Sequence, residues 1–149
     1  MQVTLKVDSL GRVDGTIDVL ATDHAPHTME EKAQLLSTAP VGFSGLEIAV
    51  GAYAKALEDV PLDRFITLLS TNPARILDVE GGTLAVGARA DLTIFAERPW
   101  TVDARAFYSK GKNTPFDGWR FERQITATII GGRLAYHVDR GVIEPLVYQ

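Results

Sequence analysis

The pattern of hydrophobic and polar positions divides the chain into an extended beginning, a helical middle and a strand-rich end. Residues 1–9 alternate between apolar and polar positions, as a short strand does, and a turn is predicted at residues 10–12. Residues 16–22 form a continuous β-rich run, which predicts a strand buried on both faces. A long loop over residues 23–43 follows, with a short helix expected over residues 29–36.

Three helices are predicted in the middle of the chain. Ser44–Glu47 fits a capping box, which predicts that a helix begins at Ser44. A second helix is expected from Pro61, and a third from Asn72, whose side chain can cap it before Pro73. The apolar faces of the first two helices are predicted to consist of Leu46, Val50, Tyr53 and Leu57, and of Leu62, Phe65, Ile66 and Leu69.

Beyond residues 81–82 the apolar positions take a period of two. Residues 91–95 and 125–130 are predicted strands, and the glycines at 131–132 predict a tight hairpin turn. Residues 133–138 form the returning strand. The end of the chain is therefore expected to be rich in β-structure.

Composition limits the size and class of the protein. With 149 residues, 46% of them hydrophobic and 23% charged, the chain has ordinary globular composition. It can build a core, but a complete eight-stranded βα barrel typically needs about 250 residues. A net charge of −4 argues against nucleic acid or an anionic membrane as a partner. Small molecules and proteins remain as expected partners.

Cysteine is absent, which excludes disulfides, thiolate zinc sites and cysteine nucleophiles. Any metal ion must therefore be bound through nitrogen and oxygen. No apolar run approaches the roughly 20 residues of a membrane span. The first residues alternate instead of forming the apolar block of a signal peptide, so a cytoplasmic location is expected.

The candidate chemistry lies in Ala21–His27, where one carboxylate and two imidazoles follow a predicted strand. Barrel enzymes keep their catalytic groups at such strand ends. An aspartate after a strand is also a common turn former or helix cap, and His27 could be an exposed loop residue. His24 is expected to be structural, because side chains adjacent along a strand point in opposite directions. His137 is expected to be structural, and residues 110–116 a solvated loop.

Six segments carry a family resemblance. They are DGTIDVLATDHAPHT, GFSGLE, TNPARIL, GTLAVGARADLTIF, SKGKNTPFDG and TATIIGGRLAY. In their order and spacing they resemble the C-terminal end of dihydroorotases, members of the amidohydrolase superfamily, from Asp14 to Gly141. Hydantoinases and allantoinases share an Asp-His pair at this point, but their following residues usually differ from Ala25–His27. The segment before Asp14 does not resemble the family's usual approach to this strand.

The resemblance implies an α/β fold: the C-terminal part of a metal-dependent hydrolase (β/α) barrel followed by part of a small β-sandwich accessory domain. Residues 1–80 would supply the last barrel strand, outer helices and active-site loop, and residues 81–149 the β-rich domain. The implied activity is zinc-dependent hydrolysis of a cyclic amide, interconverting dihydroorotate and carbamoyl-aspartate in pyrimidine biosynthesis.

The resemblance also implies roles for four residues. Asp23 would end the last barrel strand, bind one zinc ion and relay a proton from the attacking hydroxide to the leaving nitrogen. His27 would hold the substrate carboxylate. Val41 and Gly42 match the loop whose backbone contacts the substrate, and a glycine there allows close approach.

One departure from the family pattern limits this reading. Dihydroorotases draw metal ligands from several strands, including a His-x-His pair, whereas this chain has three histidines and no such pair. With Asp23 as its one plausible ligand, the chain alone is expected to bind zinc weakly and to be inactive. A missing half, a second chain or a homo-oligomer would complete the site. The alternatives are a non-catalytic scaffold that associates with aspartate transcarbamoylase, or a hydantoinase- or allantoinase-type hydrolase.

Overall fold

The computed structural model describes residues 15–143, which form short helices followed by one antiparallel sheet. The helices are α1 (Met29–Lys32), α2 (Ala49–Ala56), α3 (Leu62–Ile66) and α4 (Asn72–Leu77), with a π-helical turn at Thr67–Thr71 and a 3₁₀ turn at Ala104–Ala106. The strands are β1 (Leu92–Thr101), β2 (Arg120–Ile130), β3 (Arg133–His137) and β4 (Gly141–Val142), in the order β1-β2-β3-β4. The strand predicted over residues 1–9 and the turn at 10–12 lie outside the described residues.

The predicted hairpin is confirmed. Gly131 and Gly132 have φ of +55° and +78°, the left-handed conformation that a tight turn between twisted strands requires. The turn also holds the start of β1, because Gly131 donates its N–H to Asp91 Oδ1 over 2.6 Å. β1 is longer than predicted and its pairing with β2 shifts register between Glu97 and Trp100, where Pro99 has no N–H to donate.

The strand predicted over residues 16–22 belongs to no ladder of the described sheet. Its backbone is hydrogen-bonded by helices instead. Leu20 donates its N–H to the carbonyl of Leu68 over 3.1 Å. Side chains donate to three of its carbonyls: Arg64 to Ile17 at 2.7 Å, Asn72 to Asp18 at 2.9 Å and Tyr53 to Ala21 at 2.6 Å. Residues 16–22, here called the extended segment after their strand-like sequence, form no helix, and side chains take the place of strand partners within residues 15–143.

The helix predicted to begin at Ser44 begins at Ala49, so that prediction is wrong. Ile48 occupies the cap position without a side-chain cap bond. The short helix predicted in the loop is confirmed as α1, although it ends at Lys32. The capping box of the described chain lies there, between Thr28 and Glu31.

The two helices predicted from Pro61 and Asn72 form one helical segment joined by the π-helical turn. Asn72 does not cap α4, because its side chain donates to the carbonyl of Asp18. Pro73 has no N–H to bond the preceding turn, and a π-helical turn is one way in which a helix accommodates that loss. The segment ends at Asp78, which adopts a left-handed φ of +52°.

Two buried clusters form the core. One joins the extended segment to the helices through Leu20, Tyr53, Leu57, Phe65 and Leu68. The other joins α2 to the sheet region through Ile48, Ala52, Val102, Ala104, Phe107 and Phe121. The predicted apolar faces are thus partly right, since Tyr53, Leu57 and Phe65 are buried while Leu46, Leu62 and Ile66 are exposed.

The second cluster crosses the predicted domain boundary at residue 80. Gly51 of α2 lies so close to β2 that a Cβ there would be 2.9 Å from Phe121 Cβ. The division at residue 80, the barrel and the accessory sandwich remain predictions. Across residues 15–143, no helix is long and apolar enough to span a membrane.

Candidate active site

Asp23 follows the extended segment in a conformation that is uncommon for residues other than glycine. Its φ is +46°, and aspartate is one of the few residues that adopt this region readily. The residue is exposed, and its carboxylate has no hydrogen-bond or ion-pair partner within residues 15–143. Unusual backbone conformations cluster at functional sites. Asp23 therefore presents a carboxylate that is available to a ligand.

His27 is held at both ring nitrogens. Nε2 lies 3.0 Å from the carbonyl oxygen of Val41, so this nitrogen carries the proton and donates it. Nδ1 lies 3.5 Å from Glu31 Oε2. A carboxylate ligand that accepts this proton would replace the contact with Val41, since an N–H group donates to one acceptor at a time.

Gly42 brings together the beginning and the end of the loop over residues 23–43, here called its two arms. It has a φ of +101°, and a Cβ there would lie 2.6 Å from Ala25 Cβ. Ala25 donates its N–H to the carbonyl of Phe43 over 3.0 Å. His27, Val41 and Gly42, for which the family resemblance implies substrate contacts, are thereby neighbours.

Two further residues stabilise this loop. Lys32 donates from Nζ to the carbonyls of Pro40 and Gly42, at 2.8 and 2.9 Å. Glu31 accepts the N–H of Thr28, and this bond, with the nearby imidazole of His27, lowers the pKa of the Glu31 carboxyl. The Thr-x-x-Glu spacing could have revealed the contact between Thr28 and Glu31 from sequence. No local sequence pattern indicates the contacts of Lys32.

His24 is structural, in agreement with the sequence-based expectation. Its Nδ1 accepts the backbone N–H groups of Gly45 and Leu46, each at 3.1 Å. The proton of the neutral ring is therefore on Nε2, which lies 3.3 Å from Ser109 Oγ and donates to it. His24 thus bonds free N–H groups before α2, the task that the capping-box pattern assigned to Ser44. In this tautomer His24 cannot activate Ser109 as a nucleophile.

Ser44 and Glu47 bond to the distant loop after the 3₁₀ turn. Ser44 is fully buried and donates from Oγ to the carbonyl of Gly111 over 2.5 Å. Glu47 accepts the N–H of Ser109 at Oε1 over 2.8 Å. Burial raises the pKa of the Glu47 carboxyl, but hydrogen bonds from Ser109 and from the Glu47 backbone, together with nearby His24, outweigh burial, and the pKa lies below its usual value. Ser44 and Glu47 thus bond partners outside the helix, although Glu47 Oε2 is buried without a hydrogen-bond partner within residues 15–143.

The described residues do not fit a zinc ion by themselves. No group of three or more His, Asp or Glu side chains within residues 15–143 could hold a metal ion. His24 and His27 use their ring nitrogens in contacts with the chain. Asp23 can contribute one oxygen ligand, whereas a catalytic zinc site takes about three protein ligands.

Comparisons with known proteins agree with the sequence resemblance. The chain is 42% identical to dihydroorotases of Bacillus thuringiensis strain Al Hakam and Bacillus cereus strain B4264; each match covers 89% of this chain and 32% of the relative. The chain thus spans about a third of the length of these relatives.

Solved structures of hydantoinases share the fold. A D-hydantoinase from Thermus sp. superimposes with a TM-score of 0.75 at 24% identity, over 85% of this chain and 30% of that one. The L-hydantoinase from Arthrobacter aurescens gives 0.75 at 25% identity, over 93% of this chain and 36% of that one. Residues 6–135 match the Amidohydrolase family. This chain belongs to the amidohydrolase family.

Proposed function

We propose that this chain is the C-terminal part of a dihydroorotase, which opens and closes a cyclic amide between dihydroorotate and carbamoyl-aspartate. The observation that carries the proposal is the loop geometry. The Asp23 carboxylate, which has no partner within residues 15–143, follows the extended segment, and His27, Val41 and Gly42 lie together in the loop that comes next. The identity to dihydroorotases over most of the chain supports this choice of substrate.

Asp23 is proposed to move the proton of the hydrolytic reaction. It accepts a proton from the attacking water while the C–O bond forms at the amide carbonyl. It then returns the proton to the ring nitrogen as the C–N bond breaks, which gives the open carbamoyl product. An exposed carboxylate with no partner among residues 15–143 is suited to this exchange, because no hydrogen bond to those residues must break first.

His27 is proposed to bind the substrate carboxylate by donating its Nε2 N–H, in exchange for its contact with the Val41 carbonyl. The backbone at Val41 and Gly42 would contact the same molecule, since Val41 is exposed and Gly42 has no side chain to block approach. The complete enzyme is proposed to be zinc-dependent, with Asp23 as one ligand and the others supplied by residues that this chain does not contain.

The test compares the chain alone with the chain completed by the N-terminal portion of its relatives, joined in frame or supplied as a second polypeptide. The chain alone should show no turnover and retain no stoichiometric zinc after dialysis. The completed enzyme should hydrolyse dihydroorotate. Asp23→Asn should then lower kcat by about a hundred- to ten-thousand-fold, because an amide cannot accept the proton. His27→Ala should raise KM by more than it lowers kcat.

Two matched variants serve as controls. Asp59→Asn alters an exposed aspartate of the turn after α2, and His137→Ala alters a histidine of β3; both should leave turnover unchanged. Near-normal turnover of Asp23→Asn, with lower stability, would make Asp23 a structural residue and contradict the proposal. Preference of the completed enzyme for a hydantoin ring over dihydroorotate would assign it to the hydantoinases.

A further inference from the structure

The loop from Ser109 to Asn113, here called the support segment, lies in the predicted accessory region. It nevertheless contacts the proposed active-site loop, which covers residues 23–43. It was expected to be largely a solvated loop, yet Gly111 is buried. We propose that the support segment positions residues 24–27 of the active-site loop for substrate binding. The inference rests on the proposed function, in which His27 binds the substrate.

The closest contact is between Gly111 and the backbone of the active-site loop. A Cβ at Gly111 would lie 2.5 Å from the carbonyl oxygen of His27 and 2.6 Å from the carbonyl carbon of Pro26. The φ of Gly111 is not in the left-handed region, so close approach and not backbone conformation requires glycine here. Any larger residue must displace the backbone that carries the His27 ring.

The support segment is itself anchored to the chain before α2. The carbonyl of Gly111 accepts from Ser44 Oγ, and the carbonyl of Asn113 accepts the N–H of Ser44 over 2.7 Å. Ser44 is fully buried, so both bonds are shielded from water. The position of Gly111 relative to His27 is therefore set by a pair of short, buried hydrogen bonds.

Ser109 makes the second connection to the active-site loop. Its Oγ accepts from His24 Nε2, and its N–H donates to Glu47. His24 in turn bonds the N–H groups of Gly45 and Leu46, which follow the far arm of the loop. Displacement of Ser109 would leave the His24 ring, three residues before His27, without its Nε2 contact and held by Gly45 and Leu46 through Nδ1.

The test measures amide exchange in the chain and steady-state kinetics in the completed enzyme. Gly111→Ala should accelerate exchange in peptides covering residues 24–28. In the completed enzyme it should raise KM by about tenfold while lowering kcat by less than about twofold, because substrate binding and not proton transfer is disturbed. Ser109→Ala should accelerate exchange of Gly45 and Leu46 by about threefold, through loss of one hydrogen bond. Ser109→Thr, which retains the hydroxyl, should restore slow exchange.

Gly118→Ala is the matched control, since Gly118 has a φ of +77° and no atom within 4 Å of a Cβ placed there. It should lower stability through backbone strain without changing KM or exchange over residues 24–28. Equal effects of Gly118→Ala and Gly111→Ala would overturn the proposal, as would unchanged exchange in both Gly111→Ala and Ser109→Ala. The exchange measurements need no turnover, so they decide the inference even if the completed enzyme does not hydrolyse dihydroorotate.

Discussion

Two parts of this molecule with strand-like sequences, the β1–β2 pair and residues 16–22, satisfy their backbone hydrogen bonds in different ways. β1 and β2 pair with each other from Leu92–Ile129 to Thr101–Arg120, well beyond residues 91–95 and 125–130, for which the alternating pattern predicts strands. The segment over residues 16–22 has an equally strand-like sequence, yet its carbonyls accept from the side chains of Tyr53, Arg64 and Asn72. A strand-like sequence thus does not decide by itself which groups bond the backbone, and in residues 16–22 the surrounding helices supply the donors.

The largest expected effect comes from removing a side-chain donor of the extended segment. Asn72→Ala leaves the carbonyl of Asp18 without its bond at a site where Asn72 is only 7% exposed. We expect the free energy of unfolding to fall by about 1–3 kcal/mol, measured by chemical denaturation.

The matched change in the sheet is Gln124→Ala on β2, whose side chain makes no hydrogen bond to residues 15–143. It should alter the free energy of unfolding by less than about 0.5 kcal/mol. A loss in Asn72→Ala no larger than this would show that side-chain donors do not hold the extended segment.

The contribution of the hairpin to the free energy of unfolding should instead depend on which residues form its turn. Gly132→Val places a β-branched residue at a φ of +78°, with no atom within 4 Å of the new Cβ. The cost is therefore conformational, about 1–2 kcal/mol in the free energy of unfolding. Gly132→Asn should lose less, because asparagine tolerates the left-handed region. Equal losses for the two variants would contradict a turn controlled by φ.

Tyr53→Phe removes one hydroxyl from the extended segment and keeps the buried ring. Loss of the bond to Ala21 should lower the free energy of unfolding by about 0.5–1.5 kcal/mol. Tyr108→Phe, at an exposed tyrosine, should have no measurable effect.

A pH series sharpens the same comparison. Burial raises the pKa of Tyr53 above the ordinary value of 10.0, so the folded chain holds the phenol proton more tightly than the unfolded chain. This contribution to stability is complete below pH 10.0 and is lost as the pH rises through the folded pKa. Tyr53→Phe should show a smaller alkaline loss than the parent chain; identical alkaline losses would argue against a buried Tyr53 hydroxyl.

The smallest effect is expected in the active-site loop, where helix α1 depends on a capping box. The pKa of Glu31 lies below its ordinary value of 4.5, chiefly through its bond to the Thr28 N–H. Its contribution to stability is present above pH 4.5 and is lost as the pH falls through the folded pKa. Amide protection of residues 28–32, corrected for intrinsic rates, should decrease on acidification. Glu31→Ala should show low protection both above pH 4.5 and after acidification, and Glu30→Ala should behave like the parent chain.

Local sequence patterns determined several features of the protein by themselves. The glycine pair at 131–132 between alternating strands predicted the hairpin, because few residues adopt positive φ at both turn positions. Six short segments in their order and spacing, with Ala21–His27 among them, indicated the family and, through it, the candidate site residues. These features depend on backbone geometry or residue order within a short stretch, which a single sequence displays directly.

Tertiary structure alone decided which polar groups meet. The chain contains two Ser/Thr-x-x-Glu patterns, and Thr28–Glu31 forms a capping box while Ser44–Glu47 does not. Ser44 bonds Gly111, 67 residues away, and Glu47 bonds Ser109, 62 residues away. The free N–H groups before α2 bond His24 instead. A hydrogen-bonding group takes the best-placed buried partner, and for these residues the fold brings that partner from a distant part of the chain.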